Sequence, residues 1–250
     1  MNNYSETEYE IFSRLFILNE FSEDNLKKLY NFKIGIIGIG GIGCPLSQYL
    51  VRTGIKQLVL IDGDIVDKSN LNRQILFDLK DIRKKKVEVA KSKLQLINPE
   101  CNINILDEKI HKDNLNILND CSIIVDATDD WKTSKLLNEY CVKKSINFLY
   151  SSALKHDLQI IIFDNIKRNN HLCLNCIFPN KEDVDLPRCD TVGISGISSG
   201  MAGLIAAQKI INFLLNLREE TNILTVFDGK KISIDNIIIK SKHDCYLKYL

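Results

Sequence analysis

The sequence predicts an α/β fold: a doubly wound, mainly parallel sheet with helices on both faces and an antiparallel extension at the C-terminal end. Three observations carry this. Apolar runs of strand length (33–39, 57–62, 123–126, 147–151) alternate with stretches of helical period (42–53, 83–97, 131–144), the signature of βαβ units. The first strand runs into Gly38-x-Gly40-x-x-Gly43, the fingerprint of a Rossmann-like first turn, where a helix N-terminus offers free N–H groups to a phosphate. After residue 155 the alternation stops, and 158–163, 223–227 and 232–239 read as strands of a different arrangement.

Each element follows in order. Residues 1–32 read as a peripheral helical segment, with Leu15, Ile17, Leu18 and Phe21 as one apolar patch and Leu26, Leu29 and Tyr30 as a second. Ile34, Ile36, Ile37 and Ile39 make the first strand. The second, Leu58 to Ile61, ends on Asp62, where such folds hydrogen-bond a ribose hydroxyl. A polar loop, DGDIVDKSNLNRQ, leads to a helix over 83–97 that carries Val87, Ala90, Leu94 and Ile97 at helical spacing; Asn98-Pro99 stops it. Residues 102–106 form a weak strand and 123–126 a strong one. Residues 171–195 read as a long loop, and 196–217 as a helix that opens on Gly196, Ser198, Ser199, Gly200, Ala202 and Gly203. The whole chain, 1–250, is expected to form one domain: a helical segment (1–32), a nucleotide-binding core (33–155) and a crossover loop, helix and final strands (156–250).

Bulk properties narrow the function. Basic and acidic residues balance at 33 against 32, which argues against a nucleic-acid or membrane-surface role. No apolar run approaches the roughly 20 residues of a membrane span. The polar, acidic N-terminus, MNNYSETEYE, is unlike a signal peptide, and the chain is expected in the cytoplasm. Eight cysteines in such a compartment are not expected to pair as disulfides. Cys44, Cys101, Cys121 and Cys141 lie in apolar contexts and read as packing residues.

The loop after the second strand decides which nucleotide. A dinucleotide dehydrogenase needs one acid there. This chain has Asp62, Asp64 and Asp67, then Asn70, Arg73 and Gln74, and then Lys86. Arg and Lys neutralise phosphate charge, so the set suits a triphosphate better. Asp126, Asp129 and Asp130 follow at the C-terminal end of a strand, where an acid can hold Mg²⁺ against ATP.

The combination GIGGIGCP, LIDGD, SNLNRQ, KKKVE and VDATDD closely resembles the ThiF/MoeB/HesA family, bacterial relatives of ubiquitin-activating enzymes, over roughly residues 8 to 247. The resemblance implies ATP- and Mg²⁺-dependent adenylylation of the C-terminal glycine of a small ubiquitin-like sulfur-carrier protein, ThiS-like or MoaD-like and ending in Gly-Gly, with release of pyrophosphate, for thiamine or molybdopterin biosynthesis. It implies that Gly38, Gly40, Gly41 and Gly43 lie against the nucleotide. Asp62 would bind the ribose beside Asp64. Asn70, Arg73 and Gln74 would line the phosphate site, Lys86 would contact phosphates, and Asp129 would hold Mg²⁺ and support catalysis. Asp130 stands where the family usually has Asn. Arg14 matches an Arg that reaches the ATP of the other subunit in a homodimer; otherwise it is a solvated helix residue. A chain ending at Leu250 carries no sulfurtransferase domain, so a separate sulfur donor is expected. A non-catalytic nucleotide-binding protein of the same fold, or an NAD-dependent oxidoreductase, remains as the alternative.

Two cysteine questions belong to the same resemblance. Cys173-x-x-Cys176 has the spacing of half a zinc site, and the family's second half is another such pair. Here Cys245 matches and Lys248 occupies the fourth position, so His243, His171 or Asp244 would have to complete a site. The alternatives are leftover thiols or a redox pair. Cys189, beside Arg188 in the crossover loop, matches a family thiol that forms thioester or persulfide bonds in some members; otherwise it is a plain loop thiol.

Overall fold

The computed structural model describes residues 5–166, 172–179 and 192–240. Its strands are β1 (Lys33–Ile37), β2 (Gln57–Ile61), β3 (Asn102–Leu106), β4 (Ile123–Asp126), β5 (Asn147–Leu154), β6 (Asp157–Phe163), β7 (Ile223–Asp228) and β8 (Ser233–Ile238). They form a single eight-stranded sheet in the order β3-β2-β1-β4-β5-β6-β7-β8. The first five run parallel, and from β5 onward every pair is antiparallel. The chain reverses direction across the sheet between β1 and β4, and the C-terminal ends of both flank one crevice. Such a switch point is where open α/β sheets bind ligands.

Among the described residues the helices are α1 (Glu6–Phe12), α2 (Glu23–Asn31), α3 (Gly43–Arg52), α4 (Lys86–Ile97), α5 (Trp131–Lys144), α6 (Leu174–Ile177) and α7 (Gly196–Leu214). Strand side chains alternate between two cores, as a period of two requires. Ile34, Ile36, Leu58, Leu60 and Ile160 join Leu46, Leu50, Leu94 and Ile210 from α3, α4 and α7. Ile37, Val59, Ile124, Phe148 and Ile161 face the other way, onto Leu137 and Cys141 of α5 and Leu174 of α6. Each fully buried Leu or Ile contributes about 1.5–3 kcal/mol.

The N-terminal helical segment comprises two α-helices, α1 and α2. Ser5 caps α1 in a reciprocal box with Glu8. The buried Glu8 carboxylate meets Lys56 Nζ at 2.7 Å, which ties α1 to the start of β2. The helix expected over 83–97 begins only at Lys86. Residues before it are drawn into an antiparallel bridge, Ile65 to Lys85, and Val66 N–H donates to the Lys84 carbonyl at 2.8 Å. The chain, expected to hold no apolar run of membrane length, has among the described residues one helix that qualifies by length and composition: α7 has 19 residues, and over half of the stretch is buried inside the fold. It packs on α3, β5 and β6. Gly203 makes that approach possible, because a Cβ there would lie 2.5 Å from the Ile42 carbonyl oxygen.

Candidate nucleotide site

A cavity of about 700 Å³ opens at the switch point. That volume suits a nucleotide-sized ligand. Of the expected site residues, Gly38, Gly40, Gly41, Asp62, Asp64, Asn70, Arg73, Gln74, Lys86 and Asp129 all line it. Gly43 does not. A Cβ there would sit 2.0 Å from the Gly38 carbonyl oxygen, so this glycine lets α3 close onto the loop and does not face the ligand. Arg14 lies exposed in the turn after α1 and does not line this cavity. Cys189 and Cys245, with His171, Arg188, His243, Asp244 and Lys248, lie outside the described residues.

The acids do different work. Asp62 Oδ2 accepts from Ile39 N–H at 2.7 Å and Oδ1 from Asp64 N–H at 2.9 Å, so this carboxylate braces the glycine loop. Burial raises its pKa, opposed by Lys86 and by those two N–H groups. Asp67 caps the turn at Lys68–Asn70 by accepting from Ser69 N–H at 2.8 Å, and Asn70 Oδ1 accepts from Asp67 N–H at 3.2 Å. Asn70 is thus held by the loop it belongs to. Asp130 Oδ2 accepts from Thr133 N–H at 3.0 Å and Thr133 Oγ1 at 2.7 Å. It is the N-cap of α5, where its charge meets the positive end of the helix dipole. Asp129 carries no such duty and lines the cavity.

Two cations complete the floor. Lys86 is buried, with Nζ 3.1 Å from Asp64 Oδ2 and 3.9 Å from Asp62 Oδ2. Arg73 Nη1 donates to the Ser69 carbonyl at 3.0 Å and to Asn72 Oδ1 at 3.1 Å. Gln74 is buried in the wall, and its Oε1 has no hydrogen-bond partner. A buried polar atom without a partner costs stability, and this one belongs to a residue in the cavity wall.

Some contributors escaped the sequence. Glu108, Lys109 and Ile110, just past β3, line the cavity, and so do Ser152, Ala153, Ile194 and Ser199. Their only sequence signal is position, at the ends of strands or the start of α7. Asp126 was grouped with Asp129 and Asp130, but it is fully buried behind the turn. Its Oδ1 accepts from Thr128 N–H at 3.0 Å and Thr128 Oγ1 at 2.7 Å, and its Oδ2 has no partner. Burial pushes its pKa up to about 6.

Among the described residues no group of three or more His, Cys, Asp or Glu could hold a metal ion. A lone Asp129 suits Mg²⁺, which takes one or two carboxylates and completes its shell with phosphate oxygens and water. Cys173 and Cys176 lie buried around α6, with sulfurs 3.8 Å apart. Tetrahedral geometry with Zn–S bonds of about 2.3 Å gives an S···S edge of about 3.8 Å, so the pair fits one edge of a zinc site. Burial pushes the Cys44, Cys101 and Cys121 thiols up to about 12 and Cys141 well above the usual range, as inert packing thiols require.

A model of the ThiF family matches residues 12–247. The chain belongs to the ThiF family. Within the family it is similar to the sulfur carrier protein ThiS adenylyltransferase of Escherichia coli, 28% identical over 242 residues, covering 96% of this chain and 95% of that protein. It is also similar to the SAMP-activating enzyme E1 of Haloferax volcanii, 28% identical over 244 residues, covering 96% of this chain and 88% of that one. The adenylyltransferase and sulfurtransferase MOCS3 of Drosophila sechellia is 32% identical over 240 residues, 94% of this chain. The chain spans about half the length of that relative, 52%. Among solved structures, Escherichia coli MccB with MccA-N7isoASN superposes with a TM-score of 0.84 at 22% identity, covering 98% of this chain and 75% of that one. This likeness shows that the ThiF-family chain shares the MccB fold.

Proposed function

We propose that this ThiF-family protein adenylylates the C-terminal carboxylate of a small ubiquitin-like sulfur carrier, ThiS-like or MoaD-like, using ATP and Mg²⁺ and serving thiamine or molybdopterin biosynthesis. The observation that carries the reading is one cavity lined by Arg73, Lys86 and Asp129 together with the glycine loop. A dehydrogenase has no use for that set.

A carboxylate is a poor electrophile, and transfer of AMP onto it creates a good leaving group. The bond formed joins a carboxylate oxygen to the α-phosphorus; the bond broken releases pyrophosphate. The protein's tasks are alignment and charge neutralisation. The glycine loop and the first N–H groups of α3 cradle the triphosphate. Lys86 exchanges the exposed Asp64 for a phosphate oxygen, while Arg73 meets the phosphates from the opposite loop. Asp62 holds the ribose hydroxyls with its remaining lone pairs. Asp129 would hold Mg²⁺, which when bound would neutralise charge that develops on the phosphates. Gln74 turns its amide to the ligand.

We further propose a homodimer in which Arg14, beside the exposed Ile17 and Leu18, reaches the nucleotide of the other subunit. Zinc on Cys173, Cys176 and Cys245 and covalent chemistry at Cys189 belong to the same reading. The test is ATP–pyrophosphate exchange with Gly-Gly-ending carriers added one at a time. Exchange that requires one carrier and is lost in Asp129→Ala supports the reaction and identifies the pathway. ATP binding without exchange, whatever carrier is supplied, overturns it.

A further inference from the structure

Asp126 ends β4 and is fully buried. It pairs with Ile37 of β1 on one side and with Tyr150 of β5 on the other, and its carbonyl oxygen accepts from Ser151 Oγ at 2.8 Å. Its carboxylate is thus mounted on backbone held from both sides. Burial is the largest influence on that carboxyl, and the nearby charge of Asp130 adds to the cost of ionising it. An acid in such a place is expensive. Natural folds keep such costs mainly at working sites.

What the carboxylate holds is Thr128. Oδ1 accepts Thr128 N–H at 3.0 Å and Thr128 Oγ1 at 2.7 Å, so both the backbone and the side chain of that residue are fixed. Ala127, between the two, has its own anchor: its N–H donates to the Ile37 carbonyl at 2.9 Å. The glycine loop leans on that anchor, since a Cβ at Gly38 would stand 2.7 Å from the Ala127 carbonyl oxygen. The far end of the turn is tied at Asp130, whose carboxylate holds Thr133 of α5. Asp129 lies between the two ties and lines the cavity, as Thr128 does; Asp126 does not. Released at the Thr128 end, the turn gains conformations, and the fraction of molecules that present Asp129 to the cavity falls.

We propose that Asp126, acting through Thr128, is the positioning residue for Asp129 and thereby sets the affinity of the cavity for Mg²⁺–ATP. The inference rests on the proposed role of Asp129 in holding Mg²⁺ against ATP, but not on the acyl substrate.

The experiment uses the full-length protein. Affinity for Mg²⁺–ATP, and for AMP in EDTA, is measured by calorimetry, and urea unfolding checks that each variant is folded. Thr128→Val removes the hydroxyl and nearly keeps the shape. It should weaken Mg²⁺–ATP binding about three- to tenfold. AMP in EDTA needs neither the metal nor Asp129 and should bind this variant and wild type alike. Thr128→Ser, which keeps the hydroxyl, should restore Mg²⁺–ATP affinity to within about twofold of wild type. Asp126→Ala should match Thr128→Val, and the two together should cost no more than either alone. In an Asp129→Ala background Thr128→Val should cost nothing further, because the residue being positioned is gone.

Unchanged Mg²⁺–ATP affinity in Thr128→Val overturns the proposal. So does an equal loss of AMP affinity, which marks a merely structural role, or a loss that persists in Asp129→Ala, which marks direct contact between Thr128 and the ligand. Should Asp126→Ala fail to fold, the Thr128 variants and the Asp129→Ala background give the same answer. Wild-type protein that binds no Mg²⁺–ATP overturns the nucleotide site and this inference with it. None of these readouts needs a carrier, so failure of pyrophosphate exchange and failure of this positioning are separate results.

Discussion

Lys86 and Lys209 are equally buried, each 5% exposed, and they have opposite surroundings. Lys209, on α7, meets Glu220 Oε2 at 2.6 Å, and that carboxylate is itself buried. Asn212 Nδ2 donates to its other oxygen at 2.9 Å. Both members of the pair are buried, and the exposed Arg218 adds its Nε 3.9 Å from Glu220 Oε1. Lys86 has a half-exposed Asp64 at 3.1 Å and a second acid, Asp62, already committed to two backbone N–H groups. One lysine has a partner it cannot leave, and the other a partner that is easily replaced. Burial alone does not separate a structural ion pair from a working one; the solvent access of the partner does.

The comparison breaks first at Lys209. Lys209→Met leaves the buried Glu220 with Asn212 and only the exposed Arg218, its Nε 3.9 Å away, and the expected cost is at most about 3–5 kcal/mol. Urea unfolding should show this as a lower midpoint, with exchange activity per folded molecule unchanged. Lys86→Met should do the reverse. Exchange should fall about 100- to 1,000-fold, while unfolding free energy moves less than in Lys209→Met, because Asp64 remains solvated and Asp62 keeps its two backbone N–H donors. Equal stability losses in the two variants would sink the distinction.

Asp126 sharpens the contrast from the acid side, as a buried carboxyl with no cation. Its folded pKa of about 6 lies above the unfolded value, so the native state holds the proton more tightly. The resulting stability is fully present below about pH 4 and is lost as pH rises through about 6, by up to about 3 kcal/mol. Asp67, Asp78, Asp81 and Asp228, whose pKa values are lowered, act in the opposite sense in the wild type. The difference between wild type and Asp126→Asn isolates the effect. Stability of the variant relative to wild type should rise between pH 4 and 7, and a flat difference would contradict it.

The smallest effect is expected at Asp130→Asn. Asn caps a helix as well as Asp does, so stability should change by about 0.5 kcal/mol or less. A large loss of melting temperature would mean that the carboxylate does more than cap α5.

Much of the sheet was legible because its strands are dense apolar runs; every strand expected from sequence appears within a few residues of its place. The fingerprint glycines Gly38, Gly40 and Gly41 and the charged loop meet at one cavity at the switch point. What stayed hidden depends on tertiary contact. Lys84 and Lys85 read as helix because a bridge to Ile65 has no local signature. A four-residue helix such as α6 is too short to show a period. Gly43 shares the motif with Gly40, and only the approach of the Gly38 carbonyl separates their roles. Glu108 to Ile110 and Ser199 come to the cavity from distant segments and carry no motif. The partnering of Trp131 with Phe178 spans 47 positions of unrelated sequence.

The hairpin β5–β6 turns on Lys155, held at φ 54, and lines up seven successive pairs from Leu154–Asp157 to Phe148–Phe163. Those contacts are close in sequence and form in microseconds, whereas parallel pairs such as β1–β4 must first close loops of dozens of residues. The order of assembly follows. The hairpin can be present while the parallel pairs, and the β6–β7 pairing of Leu158 with Phe227, are still searching, and the cavity, whose walls come from β5 and the parallel strands together, is completed last. Nucleotide bound during refolding should then speed only the final kinetic phase and leave the first untouched.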